Sequence, residues 1–519
     1  MSSEQREIGV ILTAVLAVNV AFVTLGKGLW FTSHEADMVH LVDIVQRMAE
    51  GANPHRDFVT PIGDWAMRPM AVLMGWGLPL GAALVWAQVL VATLFFLPLL
   101  WVGISRLDRW QAAFFGVVVI GLTTGLVYGG KEPLLSLSMH YNRWAWAAAL
   151  IVMALVLLPV RRTDRPVLDG VAIGALMVAL AMSKVTFAVA LAIPVVIALL
   201  CMGRFVVLAV SLGVALAGLA GVTLVYGFGF WLAYARDLLA VIGSENRAMP
   251  SDPLIALVLS PSGTPVLLAG LAVVLMLRRA GHGALAVSWL LFLPALIYVS
   301  WQNFGNDPLW LLFLVIFAWV LAQRAEGAWR LGQGAVALVA AGLILPVAIN
   351  ILWSPVRHLI QPEGAYRPML SAGAQLNMVT ARAEVAYARI TVIAAPGSEP
   401  LIVEGQAMRA CKLQSGLIGV LERDAAALAR LAPEMIVQPF VADLFAPHWL
   451  FGDLEALPGG TPWYYDGLPG IEAASHLMVP QCAADPEARA RIMALVAARG
   501  LALEPAGETE DFRLFAIRR

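Results

Sequence analysis

The chain has 519 residues, 60% hydrophobic and 13% charged, with a formal net charge of −1 and a mean hydropathy of +0.79. Such apolarity lies outside the range of soluble domains, and the near-neutral balance excludes the basic excess of a nucleic-acid binder. The composition is that of a polytopic membrane protein.

Apolar stretches of roughly the 17–25 residues a helix needs to cross a bilayer recur at 8–31, 79–104, 110–128, 144–160, 167–183, 185–203, 205–226, 254–277, 284–300, 309–322 and 332–353. They predict an α-helical membrane domain of about eleven spans over 1–353. The first stretch is too long for a signal-peptide core and lacks a small-residue cleavage site, so it reads as a retained span. With the N-terminus in the cytoplasm, the inward turns are short. They carry Arg106 and Arg109, then Arg161, Arg162 and Arg165, then Arg204, then Arg278 and Arg279, then Arg324 and Arg330, as the positive-inside rule expects. The mixed-charge loops 32–78, 129–143, 227–253 and 301–308 then lie outside, together with the tail. Asp64 to Leu80 reads as a short interfacial or re-entrant helix, because a full span there would put the arginines outside.

In the first outer loop, Met38, Leu41, Val42, Val45, Met48 and Ala49 recur at helical spacing, predicting a helix lying on the membrane surface. On its opposite face, His40, Asp43, Arg47 and Glu50 read as solvated charges. Thr32-Ser33-His34-Glu35 fits a capping box, which gives Glu35 a structural role. Asp37, one turn in, is left as a candidate general base on an incoming hydroxyl, against the alternative of a favourable anion in the first helical turn.

The surface helix ends in Glu50-Gly51 and is followed by Asn53-Pro54-His55-Arg56-Asp57-Phe58-Val59-Thr60-Pro61-Ile62-Gly63. This layout resembles the first outer loop of GT-C fold glycosyltransferases, many of which carry a G-x-x-P-Y-x-D-F-x-x-P-x-G run. Gly51, Pro54, Asp57, Phe58, Pro61 and Gly63 keep that spacing, while His55 replaces an aromatic and Asp64 a proline. The resemblance implies sugar transfer from a polyprenyl-phosphate or polyprenyl-diphosphate carrier to an acceptor on the outer face. It also implies that an acidic residue of this loop, here Asp37 with Glu35 as rival, is the catalytic base or part of a metal-assisted site. Arg56 and Asp57 become candidates for substrate contact. No cofactor is certain, and a divalent cation stays open.

A lipid phosphate leaving at the membrane boundary calls for fixed cations. Lys184, where two spans meet outside, matches a lysine recurrent in such enzymes, against the alternative of snorkelling to the headgroups. His140, Tyr141, Asn142 and Arg143 form a polar and aromatic cluster opening a span, with Arg143 suited to fork onto phosphate. Glu132 resembles a second outer-loop acid of the family, and Gln302 and Asn303 are candidate sugar contacts against the alternative of a polar turn. Gly125 to Lys131 imitates a phosphate loop, but Glu132 stands where Ser or Thr is required and no strand precedes it. Mid-span acids are nearly absent, which favours an enzyme at the outer boundary over the alternative of a transporter or flippase with a midplane site.

From about 361 to 519 charged residues return. Strands at 390–394, 401–404, 435–439 and 512–517 with helices at 416–431 and 486–498 predict a small α/β domain outside the membrane. Cys411 and Cys482 are its only cysteines, a candidate disulfide or two buried thiols. The expected partners are a polyprenyl-phosphate-sugar donor, a glycan, lipid or protein acceptor, and membrane lipids.

Overall fold

The computed structural model describes residues 2–26, 28–244, 253–260, 263–302, 307–370, 377–394 and 401–518. Each predicted span contains a helix among the described residues. In chain order the helices are α1 Ser3–Thr24, α2 Glu35–Ala49, α3 Asp64–Gly75, α4 Leu80–Arg106, α5 Arg109–Thr124, α6 His140–Leu157, α7 Pro166–Ser183, α8 Val185–Cys201, α9 Phe205–Tyr226, α10 Phe228–Gly243, α11 Leu254–Leu259, α12 Gly263–Arg279, α13 Gly283–Trp301, α14 Trp310–Ala322 and α15 Gly327–Leu359. Among the described residues, α1, α4, α7, α9, α13 and α15 are long and apolar enough to cross a bilayer. Their outward apolar side chains, such as Leu94, Leu224 and Leu338, are exposed, as expected of a lipid-facing surface. α6 is the axis of the bundle: nearly every residue from Asn142 to Leu157 is buried, with α5, α7 and α8 packed around it.

The elements depart from the sequence expectation in several places. The first apolar run does not stay helical to residue 31. α1 ends at Thr24, and Leu29–Phe31 forms strand β1. The stretch 254–277 is divided between α11 and α12. The last helix continues past residue 353 to Leu359, and the outer loop 227–253 contains the 16-residue α10. α3, at 12 residues, is about 18 Å long, too short to span and in keeping with an interfacial or re-entrant segment.

The tail is the expected α/β domain. Its strands are β2 Tyr366–Pro368, β3 Val379–Arg382, β4 Thr391–Ala394, β5 Ile402–Val403, β6 Gln406–Ala407, β7 Cys411–Ser415, β8 Phe440–Val441, β9 His476–Pro480, β10 Cys482–Ala483, β11 Ala502–Glu508 and β12 Phe512–Arg518, with helices Leu417–Leu431 and Pro486–Ala498. One sheet has the order β11-β12-β9-β8, another β10-β7-β4. Met435–Pro439 is not a strand; only Val437 makes an isolated bridge, and the strand of that region is β8. Cys411 and Cys482 are disulfide-bonded, joining β7 to its parallel neighbour β10.

The tail is interlocked with the first outer loop. β1 pairs in parallel with β3, Leu29 opposite Val379 and Phe31 opposite Ala381, and one apolar cluster combines Met38, Val42 and Phe58 with Tyr387, Ile418 and Leu421. Gly28 and Gly81 both crowd the Met378 carbonyl, where a Cβ would come within 2.3 and 2.2 Å respectively, so glycine is what admits this contact.

Candidate active site

The run from Gly51 to Gly63 is a clasp between four parts of the molecule. Asp57 Oδ2 accepts from the Asn53 backbone N–H at 2.7 Å, closing the turn. The Asp57 carbonyl accepts from Gly459 N, and Val59 N donates to the Gly460 carbonyl. Asp237 of α10 accepts from Thr60 N at 3.1 Å and pairs with His55 Nδ1 at 2.9 Å. His55 stacks on Tyr234, ring centroids 4.3 Å apart, so the histidine that departs from the family pattern has a specific anchor. A Cβ on Gly63 would lie 2.2 Å from the Met182 carbonyl, which sets this glycine against the α7–α8 junction. Of the two substrate candidates here, Asp57 is occupied in the turn, and the exposed Arg56 reaches the Tyr226 carbonyl at 3.3 Å.

The Thr32–Glu35 capping box does not form. His34, left-handed at φ 59°, occupies the cap position without a side-chain cap, and Thr32 is diverted to the second outer loop, its Oγ1 accepting from Leu135 N at 2.9 Å. Glu35 turns to the tail instead: its Oε1 accepts from Leu417 N at 3.3 Å, capping the helix Leu417–Leu431. Burial raises the Glu35 carboxyl above its ordinary range, and the Leu417 and Gly416 N–H groups work against that shift.

Asp37 remains partly exposed. Burial raises its carboxyl above the usual range, while Ser138 and His34 favour the charged form. The Ser138 hydroxyl stands beside it without a formed hydrogen bond. Charges from two more outer loops act nearby: Glu132 on His34, and Asp37, Glu132 and Asp307 together on Tyr128. The His34 ring lies against Tyr128, centroids 4.3 Å apart. The approach of Tyr128, Ser138 and Asp307 to this cluster is not visible in the sequence, because they lie far from Asp37 along the chain. Among the described residues no group of three or more His, Cys, Asp or Glu is arranged to hold a metal ion.

The polar face of α2 is not solvated, which corrects that expectation for three of its four residues. His40, Asp43 and Arg47 are buried, and only Glu50 is exposed. Asp43 pairs with Arg47 and accepts from Trp449 Nε1 at 3.0 Å, while Arg47 Nη1 donates to the Leu457 carbonyl at 3.1 Å. The tail, not water, covers these charges.

The candidates around the fourth span divide. Arg143 is buried, with Nε on the Val127 carbonyl at 2.8 Å and Nη1 on the Leu122 carbonyl at 3.4 Å; it ties the end of α5 to the following loop. His140 lies between the Leu137 and Ala66 carbonyls, with Nε2 2.8 Å from the latter. Asn142 is buried. Glu132 is exposed, and its backbone carbonyl accepts from Asn350 Nδ2 at 2.8 Å. The Lys184 ammonium sits 5.0 Å from the centre of the Tyr141 ring, a cation–π arrangement just outside α7. Gln302 follows α13 and is half-buried; Asn303 lies outside the described residues.

A feature the sequence reading missed is an apolar groove of about 860 Å³ between α3, α4 and α7, lined among others by Trp65, Val72, Leu94, Phe95, Trp144 and Ala175. It extends along α7 from Leu168 to Ser183, about 22 Å at 1.5 Å per residue. Arg68 lines it, held by Nε to Asp64 Oδ1 at 3.1 Å, with Asp64 also accepting from Tyr226 Oη at 3.2 Å. Lys184 follows Ser183 at the same end. The Asp64/Arg68 pair at i,i+4 was a visible signal, but nothing in the sequence brings α3 beside α7.

No protein-family model and no curated protein matches the sequence. Among solved structures, the chain is similar to ArnT from Cupriavidus metallidurans bound to undecaprenyl phosphate, with 12% identity and a TM-score of 0.41, covering 98% of this chain and 97% of that one. The apo state of the same protein is similar with 12% identity and a TM-score of 0.34 over the same shares, 98% and 97%. The Archaeoglobus fulgidus oligosaccharyltransferase, in complex with Zn and sulfate, is similar with 12% identity and a TM-score of 0.32, covering 66% of this chain and 53% of that one.

Proposed function

We propose that this protein is an integral-membrane glycosyltransferase that moves a sugar from a polyprenyl-phosphate-linked donor to an acceptor at the outer face. The N-terminus is cytoplasmic and the tail extracytoplasmic, in a bacterial inner membrane. The observation that carries the reading is the groove beside the bundle, apolar, with Arg68 on its wall and Ser183 at the end of its α7 side; Lys184, the next residue, lies against the Tyr141 ring. The apolar wall suits an isoprenoid chain and the two cations suit the phosphate.

The Asp37 loop connects to that end through named contacts. Ser138 stands beside Asp37, Tyr141 three residues on carries Lys184 on its ring, and His140 between them meets the Ala66 carbonyl of α3. Asp37 takes the proton of the acceptor hydroxyl, whose oxygen attacks the anomeric carbon as the bond to phosphate breaks. Lys184 and Arg68 stabilise the departing phosphate charge. One displacement inverts the anomeric centre. Glu35 is assigned to structure and Arg143 to architecture.

The alternative, a transporter or flippase, needs no such base. The test is transfer from radiolabelled polyprenyl-phosphate sugars by the full chain in nanodiscs, compared with Asp37→Asn. Abolished transfer with donor binding retained supports the reading; transfer undiminished in Asp37→Asn removes the residue from the mechanism, and no transfer with any carrier favours transport.

A further inference from the structure

At the end of the bundle opposite the outer loops, several arginines are held by acids. Arg106 and Arg204 share Asp169, Arg162 pairs with Glu4, and Arg161 lies 3.6 Å from Asp108. Three others, gathered at one corner of the same end, have no such partner. Arg278 and Arg279 close α12, Arg330 lies in the first turn of α15, and all three are exposed. None of them forms an ion pair or a side-chain hydrogen bond among the described residues. The two helices pack together at this corner. A Cβ on Gly332 would lie 3.2 Å from Met276 Cε, which sets the end of α12 beside the start of α15. The connection leading into α15 is tied to the same end of the bundle, because Gln323 Nε2 donates to Asp108 Oδ2 at 2.8 Å.

The helices do not account for these charges. Cations suit the C-terminus of α12, but the first turn of a helix favours anions, so Arg330 gains nothing from α15. Glu326, four residues before it, is exposed and pairs with none of the three. Like charges gathered without an acid repel one another, and an anion placed among them removes that cost. The surroundings decide what carries the anion. Leu275, Leu331 and Leu338 project outward from the two helices, and Trp329, next to Arg330, is 40% exposed. An indole at such a boundary sits among lipid headgroups. A free phosphate would use the arginines alone; a phospholipid uses the arginines for its phosphate and the leucines for its acyl chains.

We propose that the α12/α15 corner binds an anionic phospholipid, with Arg278, Arg279 and Arg330 holding the phosphate of its headgroup. This binding is independent of the glycosyltransferase reading.

The test is native mass spectrometry of the full chain released from nanodiscs that contain equal amounts of phosphatidylglycerol and phosphatidylcholine with the same acyl chains. Wild type should retain phosphatidylglycerol preferentially. Arg278→Gln/Arg279→Gln/Arg330→Gln should reduce that preference by about fivefold per arginine, whereas Arg161→Gln, at the same end but facing Asp108, should leave it unchanged. All three substituted side chains are exposed, so the triple variant should melt like wild type in phosphatidylcholine alone. If it does not fold, Arg330→Gln by itself should give the loss of about fivefold. Equal retention of the two lipids by wild type overturns the proposal, and so does a preference that survives the triple variant. A preference lost equally in Arg161→Gln would mean diffuse surface charge in place of a site, and displacement of the lipid by excess inorganic phosphate would mean a simple anion site; either result overturns it as well.

Discussion

Glu35 Oε1 accepts the backbone N–H of Leu417 at 3.3 Å across 382 residues of sequence. That one contact separates two acids that lie two positions apart in the first outer loop. Glu35 is spent holding a helix of the tail, and Asp37 is left facing the second outer loop. A helix N-terminus favours a carboxylate both as acceptor and through its dipole, so the arrangement has an evident physical cause.

If Glu35 is a cap, Glu35→Ala should lower stability by about 0.5–2 kcal/mol, seen as a lower melting temperature of the purified protein. Glu35→Gln, which keeps an acceptor oxygen, should recover most of that loss, and both variants should retain measurable transfer. Complete loss of turnover in a stably folded Glu35→Gln would move the catalytic assignment from Asp37 to Glu35.

Asp37→Asn should abolish transfer and raise the melting temperature at neutral pH. Burial holds the folded-state pKa of Asp37 above its unfolded value, about 3.9, so its contribution to stability is fully present below the unfolded pKa and lost as pH rises through the folded one. At neutral pH the wild type has lost it, and the neutral amide avoids the loss. Melting curves of the two proteins should therefore converge as pH falls below the unfolded pKa, and the acid limb of wild-type activity should lie above the ordinary carboxylate range. An Asn variant less stable than wild type at pH 7 would contradict the sign.

Asp43→Ala leaves the Arg47 guanidinium buried beneath Trp449 without its carboxylate, which should destabilise the protein by about 3–5 kcal/mol. The double variant Asp43→Leu/Arg47→Met should be far less damaging, because it removes both charges. Thermal melts of the single and double variants decide this; equal losses would mean that the lost hydrogen bonds to Trp449 and Leu457, not an unpaired charge, carry the cost.

Arg68→Ala should weaken donor binding about tenfold or more, since a hydrogen bond to a charged group is worth about 1.5–3 kcal/mol. The effect should appear in KM for the polyprenyl donor and spare KM for the acceptor. Arg143→Ala is the contrasting case. It releases the Val127 and Leu122 carbonyls and should reduce stability first. A donor KM that responds to Arg143 but not to Arg68 would relocate the phosphate.

Much of the molecule was legible from the chain alone because the causes are local. Runs of apolar residues long enough for a bilayer mark the helices, and arginines follow span ends. The strand-rich tail announces itself by returning charge, and two lone cysteines in it become one disulfide. The candidate base was legible as well, though only as one of two acids.

What tertiary structure alone decided is the partner of each polar group. An amphipathic helix presents its charges in the same way to water or to another domain, so the sequence of α2 could not reveal that Trp449 and Leu457 cover Asp43 and Arg47. The sequence does not show that the Val127 and Leu122 carbonyls accept from Arg143, and the apolar groove exists only because α3, α4 and α7 meet. Composition and periodicity determine that a segment is buried in lipid or folded outside it; only long-range packing determines which carboxylate meets the tail and which faces the second outer loop.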